Sequence, residues 1–87
     1  MKVFVVSYDL RNAEREQYQN LYDALNEMGG REVLESTWTL KLKDEWTCEK
    51  VAKELLQFMD KDDGIFVTQI TAYAKKCCDN EPHKFYD

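Results

Sequence analysis

The sequence predicts an α+β sandwich of order β-α-β-β-α-β, one four-stranded antiparallel sheet with two helices on one of its faces. Three observations carry this. Strand-like runs at 2–8 and 65–71 are apolar on both faces and bracket the core. Two segments of helical apolar spacing lie between them, and an extended, alternating stretch over 31–43 separates those two. Two right-handed crossovers onto one antiparallel sheet then give the ferredoxin-like arrangement.

The first strand sets Val3 and Val5 on one side and Phe4, Val6 and Tyr8 on the other. A chain of 87 residues can cover one sheet face with helices but has little left for the second. The surplus predicts a homodimer formed through the helix-free face. The strand runs into Asp9, and dimerisation would bring two Asp9 carboxylates towards a shared axis at the carboxyl end of a buried strand.

A short loop, Leu10-Arg11-Asn12, follows, with Asn12 as N-cap and Glu14 and Glu16 in a first helical turn. Tyr18, Leu21, Tyr22, Leu25 and Met28 form one apolar stripe, which Gly29-Gly30 ends. Across 31–43, Leu34, Ser36, Trp38, Leu40 and Leu42 alternate with Glu35, Thr37, Thr39 and Lys41. The stretch is long for one strand, so two antiparallel strands meeting in a tight turn near Glu35-Ser36 are expected, with a single bent strand as the alternative.

Thr47 is the expected N-cap of the second helix, with Glu49 in its first turn and Val51, Ala52, Leu55, Leu56, Phe58 and Met59 on its buried side. A charged turn, Asp60-Lys61-Asp62-Asp63-Gly64, leads to the last strand. The domain thus spans 1–71. The tail, 72–87, has no clear periodicity and holds the single Pro and the single His.

Composition narrows the function. The net charge is −5, and Lys41, Lys43, Lys75 and Lys76 are the local basic groupings, most of them flanked by acids. Tight free-standing grip on a duplex is disfavoured, because phosphate neutralisation dominates such affinity. Metal-mediated contact with phosphate, or binding to a basic protein, remains compatible. No apolar run reaches the ~20 residues that span a bilayer, and the start is too short for a signal peptide, so no membrane association and a cytoplasmic location are expected. Cys48, Cys77 and Cys78 make no disulfide framework and are read as reduced thiols.

Ser7-Tyr8-Asp9-Leu10 after the opening strand, Leu21-Tyr22-Asp23-Ala24-Leu25, Leu34-Glu35-Ser36-Thr37-Trp38 and Asp63-Gly64-Ile65-Phe66-Val67 resemble, in order and spacing, the Cas-two-like superfamily. That group contains the CRISPR-associated small nuclease and integration adaptor and the VapD-type ribonuclease toxins. Within it the likeness is greatest to the SinR-family branch of bacteria and phages. The resemblance covers residues 2–71. It implies a ferredoxin-like homodimer whose C-terminal segment adds a strand to the partner's sheet. It also implies that Asp9 matches the aspartate that places Mg²⁺ between protomers in the nuclease members. Mg²⁺ takes one or two carboxylates and keeps several waters, and it could orient a water against a phosphodiester.

Asp9 is therefore the candidate metal ligand and catalytic residue, with Ser36, on the strand face of Trp38, as a candidate site-lining and catalytic partner. The plainer alternatives are a loop carboxylate before a helix and a turn serine. Ser7 and Tyr8 are expected to pack and hydrogen-bond. Trp38 is expected in the core or the dimer contact, Trp46 at the surface. Adjacent Cys77-Cys78 with His83 is a poor fit to tetrahedral zinc. The family's nuclease and adaptor members carry several basic residues around the first loop and second strand. Here Arg11, Arg15 and Arg31 stand among Glu14, Glu16, Glu32 and Glu35, which speaks against spacer integration. Two functions follow: a Mg²⁺-dependent nuclease acting on RNA rather than DNA, or a non-catalytic acidic module that binds a basic partner and inhibits a nucleic-acid-processing complex, as a phage-encoded anti-CRISPR-like protein would.

Overall fold

A computed structural model describes residues 1–11 and 18–85 of the chain. It contains β1 (Lys2–Asp9), α1 (Gln19–Glu27), β2 (Arg31–Leu34), β3 (Thr37–Leu42), α2 (Cys48–Leu56) and β4 (Gly64–Ile70). The four strands form one sheet in the order β2-β3-β1-β4, and every neighbouring pair is antiparallel. The ferredoxin-like expectation is met. The expected cap at Asn12, with Glu14 and Glu16, lies outside the described residues; within them α1 begins after Tyr18 with no side-chain cap.

The core lies between the sheet and the two helices. Phe4 and Val6 of β1, Leu40 of β3, Leu21 and Leu25 of α1, and Val51 and Leu55 of α2 are completely buried. Gly29, at φ +74, ends α1 by a left-handed turn. Its N–H donates to the Asn26 carbonyl at 2.9 Å, and the Gly30 N–H donates to that of Leu25 at 2.8 Å. These two bonds satisfy the carbonyls a helix end leaves open. Thr47 caps α2 as expected, its hydroxyl accepting the Lys50 N–H at 3.2 Å. Leu56 departs from expectation: it is 48% exposed. Being next to Leu55, it is rotated about 100° from the buried stripe, and Phe58 and Met59 beyond the helix end pack on the core instead.

The extended stretch does divide into two strands around Glu35-Ser36, and Ser36 takes the left-handed conformation at φ 63. The register also settles the helix-free face. Val3, Val5 and Ser7 stand opposite Lys41, Thr39 and Thr37 on one side and Ile70, Thr68 and Phe66 on the other. Alternation points these side chains away from Phe4, Val6 and Leu40.

Part of that face is covered by the chain's own tail. After β4, at one sheet edge, the chain returns to β2 at the other, where the Asp79 N–H donates to the Val33 carbonyl at 2.8 Å. The Asn80 amide donates to the Glu32 carbonyl at 2.7 Å, and Pro82 and His83 are buried. His83 packs on Thr39, whose hydroxyl oxygen lies 2.7 Å from the ring Nδ1 and 3.2 Å from the backbone N–H it accepts. The β4 side stays open, with Phe66 67% exposed.

Candidate functional site

β1 delivers Asp9 to its carboxyl end, where the strand pairs with the start of β4 and Asp9 faces Gly64. The Asp9 side chain is 69% exposed, and its Oδ2 accepts from the Arg11 guanidinium at 3.1 Å. By the β1 alternation Asp9 shares the side of Val3, Val5 and Ser7. An open pair of this kind contributes only ~0–1 kcal/mol, so a divalent cation could displace the guanidinium.

The ground beneath is rigid. Tyr8, one residue earlier, points into the core, where its hydroxyl accepts the Trp38 indole N–H at 3.0 Å. Its backbone N–H donates to the Ser36 carbonyl at 3.1 Å, which ties the β2–β3 turn to the end of β1. Ser7 and Thr37 hydroxyls meet at 3.3 Å on the opposite face. Trp38 is thus a core residue that also serves the site's floor, and Trp46 is half-buried against the same core rather than fully at the surface.

An open depression of about 920 Å³ lies over this region, and both Asp9 and Ser36 line it. The two sequence candidates are therefore brought to one place. Sequence reasoning missed three further acids that line it, Glu32, Glu35 and Asp79. Asp79 comes from the aperiodic tail and could not be placed without the cross-sheet return.

A fourth acid was passed over as part of a charged turn. Asp63 Oδ1 accepts the Arg11 N–H at 2.8 Å and the Tyr18 hydroxyl at 3.0 Å, while Oδ2 accepts the Asp60 N–H at 2.8 Å. Desolvation pushes the Asp63 carboxyl up, but the hydrogen bonds from Arg11, Asp60 and Tyr18, with the Arg11 charge, outweigh it and hold the group below the usual carboxylate range. A signal was available: β1 and β4 are neighbours in this fold, so the residue before β4 must lie beside the residues after β1.

A cation at Asp9 has a simple test of fit. Among the described residues no cluster of three or more metal-ligating side chains forms. One exposed carboxylate per chain, already holding a positive guanidinium, suits an ion that needs few protein ligands and retains its water, as Mg²⁺ does. Cys77 is exposed and Cys78 half-exposed, all three cysteines are free thiols, and His83 is engaged with Thr39. Among the described residues no helix is long and apolar enough to cross a membrane.

Comparison with known proteins agrees with this architecture. None of the curated proteins matches the chain. The model of the family described as CRISPR associated protein Cas2 matches residues 1–77. With nearly the whole described core inside that match, the chain belongs to the CRISPR associated protein Cas2 family.

Proposed function

We propose that this protein is a divalent-metal-dependent nuclease of the cytoplasm, acting on RNA in preference to DNA, with Asp9 from each protomer of a homodimer holding Mg²⁺. The observation that carries this reading is the Asp9 carboxylate itself, exposed at the end of β1 and paired only weakly with Arg11. Family membership supports it. The dimer forms through the helix-free face, where Phe66 remains open; the tail, docked on its own β2 and β3, would add a strand to the partner's sheet only on leaving them. When bound, the ion would supply Lewis-acid stabilisation of phosphodiester charge and a water of lowered pKa. Asp9 holds the ion; Arg11, displaced from it, can meet a phosphate oxygen; Ser36 lines the substrate side of the depression.

The test is cleavage of labelled RNA and DNA by purified protein with Mg²⁺ or Mn²⁺. Wild type is expected to cut RNA, to stop on chelation, and to lose activity in Asp9→Ala while its circular dichroism stays unchanged. Equal trace cleavage by wild type and Asp9→Ala would refute the nuclease.

One observation favours a second reading. Four carboxylates, Asp9, Glu32, Glu35 and Asp79, line the depression, and the net charge is −5. Such a surface suits a basic protein partner better than a bare phosphate chain, and the protein would then block a nucleic-acid-processing complex without catalysis. Glu32→Lys with Glu35→Lys should abolish that binding. A chain that cleaves RNA and binds such a complex equally well with and without these changes excludes this alternative.

A further inference from the structure

We infer that Asp63 is the positioning residue of the Asp9 site, an inference that rests on the proposed reading of Asp9 as the cation-holding group. Asp63 bonds to the backbone of Arg11, whose guanidinium lies on the Asp9 carboxylate. It acts on the backbone that presents Asp9. The Arg11 N–H, two residues past Asp9, donates to its Oδ1 at 2.8 Å, and the Tyr18 hydroxyl, just before α1, donates to the same oxygen at 3.0 Å. Its other oxygen accepts the Asp60 N–H at 2.8 Å, while the Asp63 N–H donates back to the Asp60 carbonyl at 3.0 Å. One carboxylate thereby joins three pieces of chain that converge at this end of the sheet: the loop leaving β1, the start of α1 and the turn before β4.

The next residue completes the arrangement. Gly64 faces Asp9 in the register, and a Cβ placed on it would stand 3.7 Å from the Asp9 Cβ. Arg11, two residues past Asp9, is thus held by Asp63, and Gly64 places no side chain against Asp9. Arg11 is fixed at its backbone while its guanidinium lies on Asp9. Without Asp63 the Arg11 N–H loses its bond to the turn before β4, and Asp9 and Arg11 no longer keep a set spacing. An acid that orients a ligand without touching the ion commonly controls affinity by about 10-fold or more.

The experiment titrates Mn²⁺ alone into the full chain by electron paramagnetic resonance, and reads amide exchange at Arg11 by NMR. Asp63→Ala is expected to weaken Mn²⁺ binding about tenfold and to deprotect the Arg11 amide. Asp63→Asn, which keeps one carbonyl oxygen for Arg11 and Tyr18, should retain most of the affinity and serves if the alanine variant fails to fold. The loss should vanish in an Asp9→Ala background, because Asp63 acts through Asp9. Wild-type Mn²⁺ affinity in Asp63→Ala overturns the inference, as does a loss that persists undiminished with Asp9→Ala. Asp9→Ala binding Mn²⁺ like the wild type defeats only the metal reading of Asp9. Deprotection of the Arg11 amide in Asp63→Ala then still upholds the anchoring role, and retained protection removes it.

Discussion

The Thr39 hydroxyl and the His83 ring, 44 positions apart in the chain, meet at 2.7 Å on the helix-free face of the sheet. This contact holds the tail over β3 and has a defined pH response. Burial is the main cause that lowers the His83 pKa below its ordinary value, and the Arg31 and Lys41 charges lower it further. Hydrogen bonds with the Gly29 and Thr39 backbones pull the other way without overcoming them. The docked state therefore favours neutral imidazole. Its stabilisation is complete above the free-histidine value of about 6.5 and is lost as pH falls through the lower docked value. Amide exchange at 79–84, followed from pH 7.5 down to pH 5, should show the tail loosening in acid. His83→Gln should remove the pH dependence, and its persistence in that variant would assign the effect elsewhere.

A sharper packing test lies at the end of α1. A Cβ on Gly30 would stand 2.7 Å from the Leu25 carbonyl oxygen, 2.8 Å from Leu40 Cδ2 and 3.0 Å from Trp38 Cε3. The carbonyl belongs to the helix-ending turn and cannot give way cheaply. Gly30→Ala should cost about 1–3 kcal/mol in urea unfolding. Gly64→Ala is the contrast, since its nearest neighbour is an ordinary contact at 3.7 Å, and it should unfold close to wild type. Equal losses at the two sites would refute the close approach of Gly30.

The floor of the site makes a different prediction. Trp38 is buried, and its indole N–H donates to the Tyr8 hydroxyl. Tyr8→Phe leaves that donor in the core without its acceptor, which should cost about 1–3 kcal/mol. Trp38→Phe removes the donor too but opens a void, so it should cost at least as much. Near-UV circular dichroism with urea titration measures both. A Tyr8→Phe variant as stable as wild type would show that water reaches the indole.

Much of this was legible beforehand, for reasons that differ by element. The order of elements followed from periodicity, because Phe4, Val6, Leu21, Leu25, Leu40 and Leu55 each bury one regular face. Asp9 stood out because a polar residue closing an apolar strand is locally conspicuous. Ser36 was placed by its turn. Glu32, Glu35 and Asp79 were hidden, since their placement arises from pairings between distant segments that no local spacing encodes, whereas Asp63 could be placed only through the fold, by the adjacency of β1 and β4. The tail was hidden for a related reason: it docks by scattered hydrogen bonds to Val33, Glu32 and Thr39, and such contacts leave no period in a sequence.

Phe66 gives a test of the dimer proposed through the exposed half of the helix-free face. It projects from β4, opposite Ser7, and is 67% exposed while its strand neighbours Ile65 and Val67 pack on the core. An exposed phenylalanine beside Ser7 and Thr68 gains nothing in an isolated chain, whereas burying it against a second copy would contribute roughly 1.5–3 kcal/mol per protomer. Phe66→Lys should therefore shift the protein towards monomer in analytical ultracentrifugation at micromolar concentration, because each interface would receive two like charges. Its own unfolding should move by no more than about 0.5 kcal/mol, as for other surface changes. Asp9→Ala removes a negative charge from each protomer at the edge of the same face, so at low salt it should leave dimerisation intact or strengthen it. A monomeric wild type would remove the homodimer, and a Phe66→Lys chain that dimerises as before would place the partner surface elsewhere; either outcome parts the two Asp9 carboxylates.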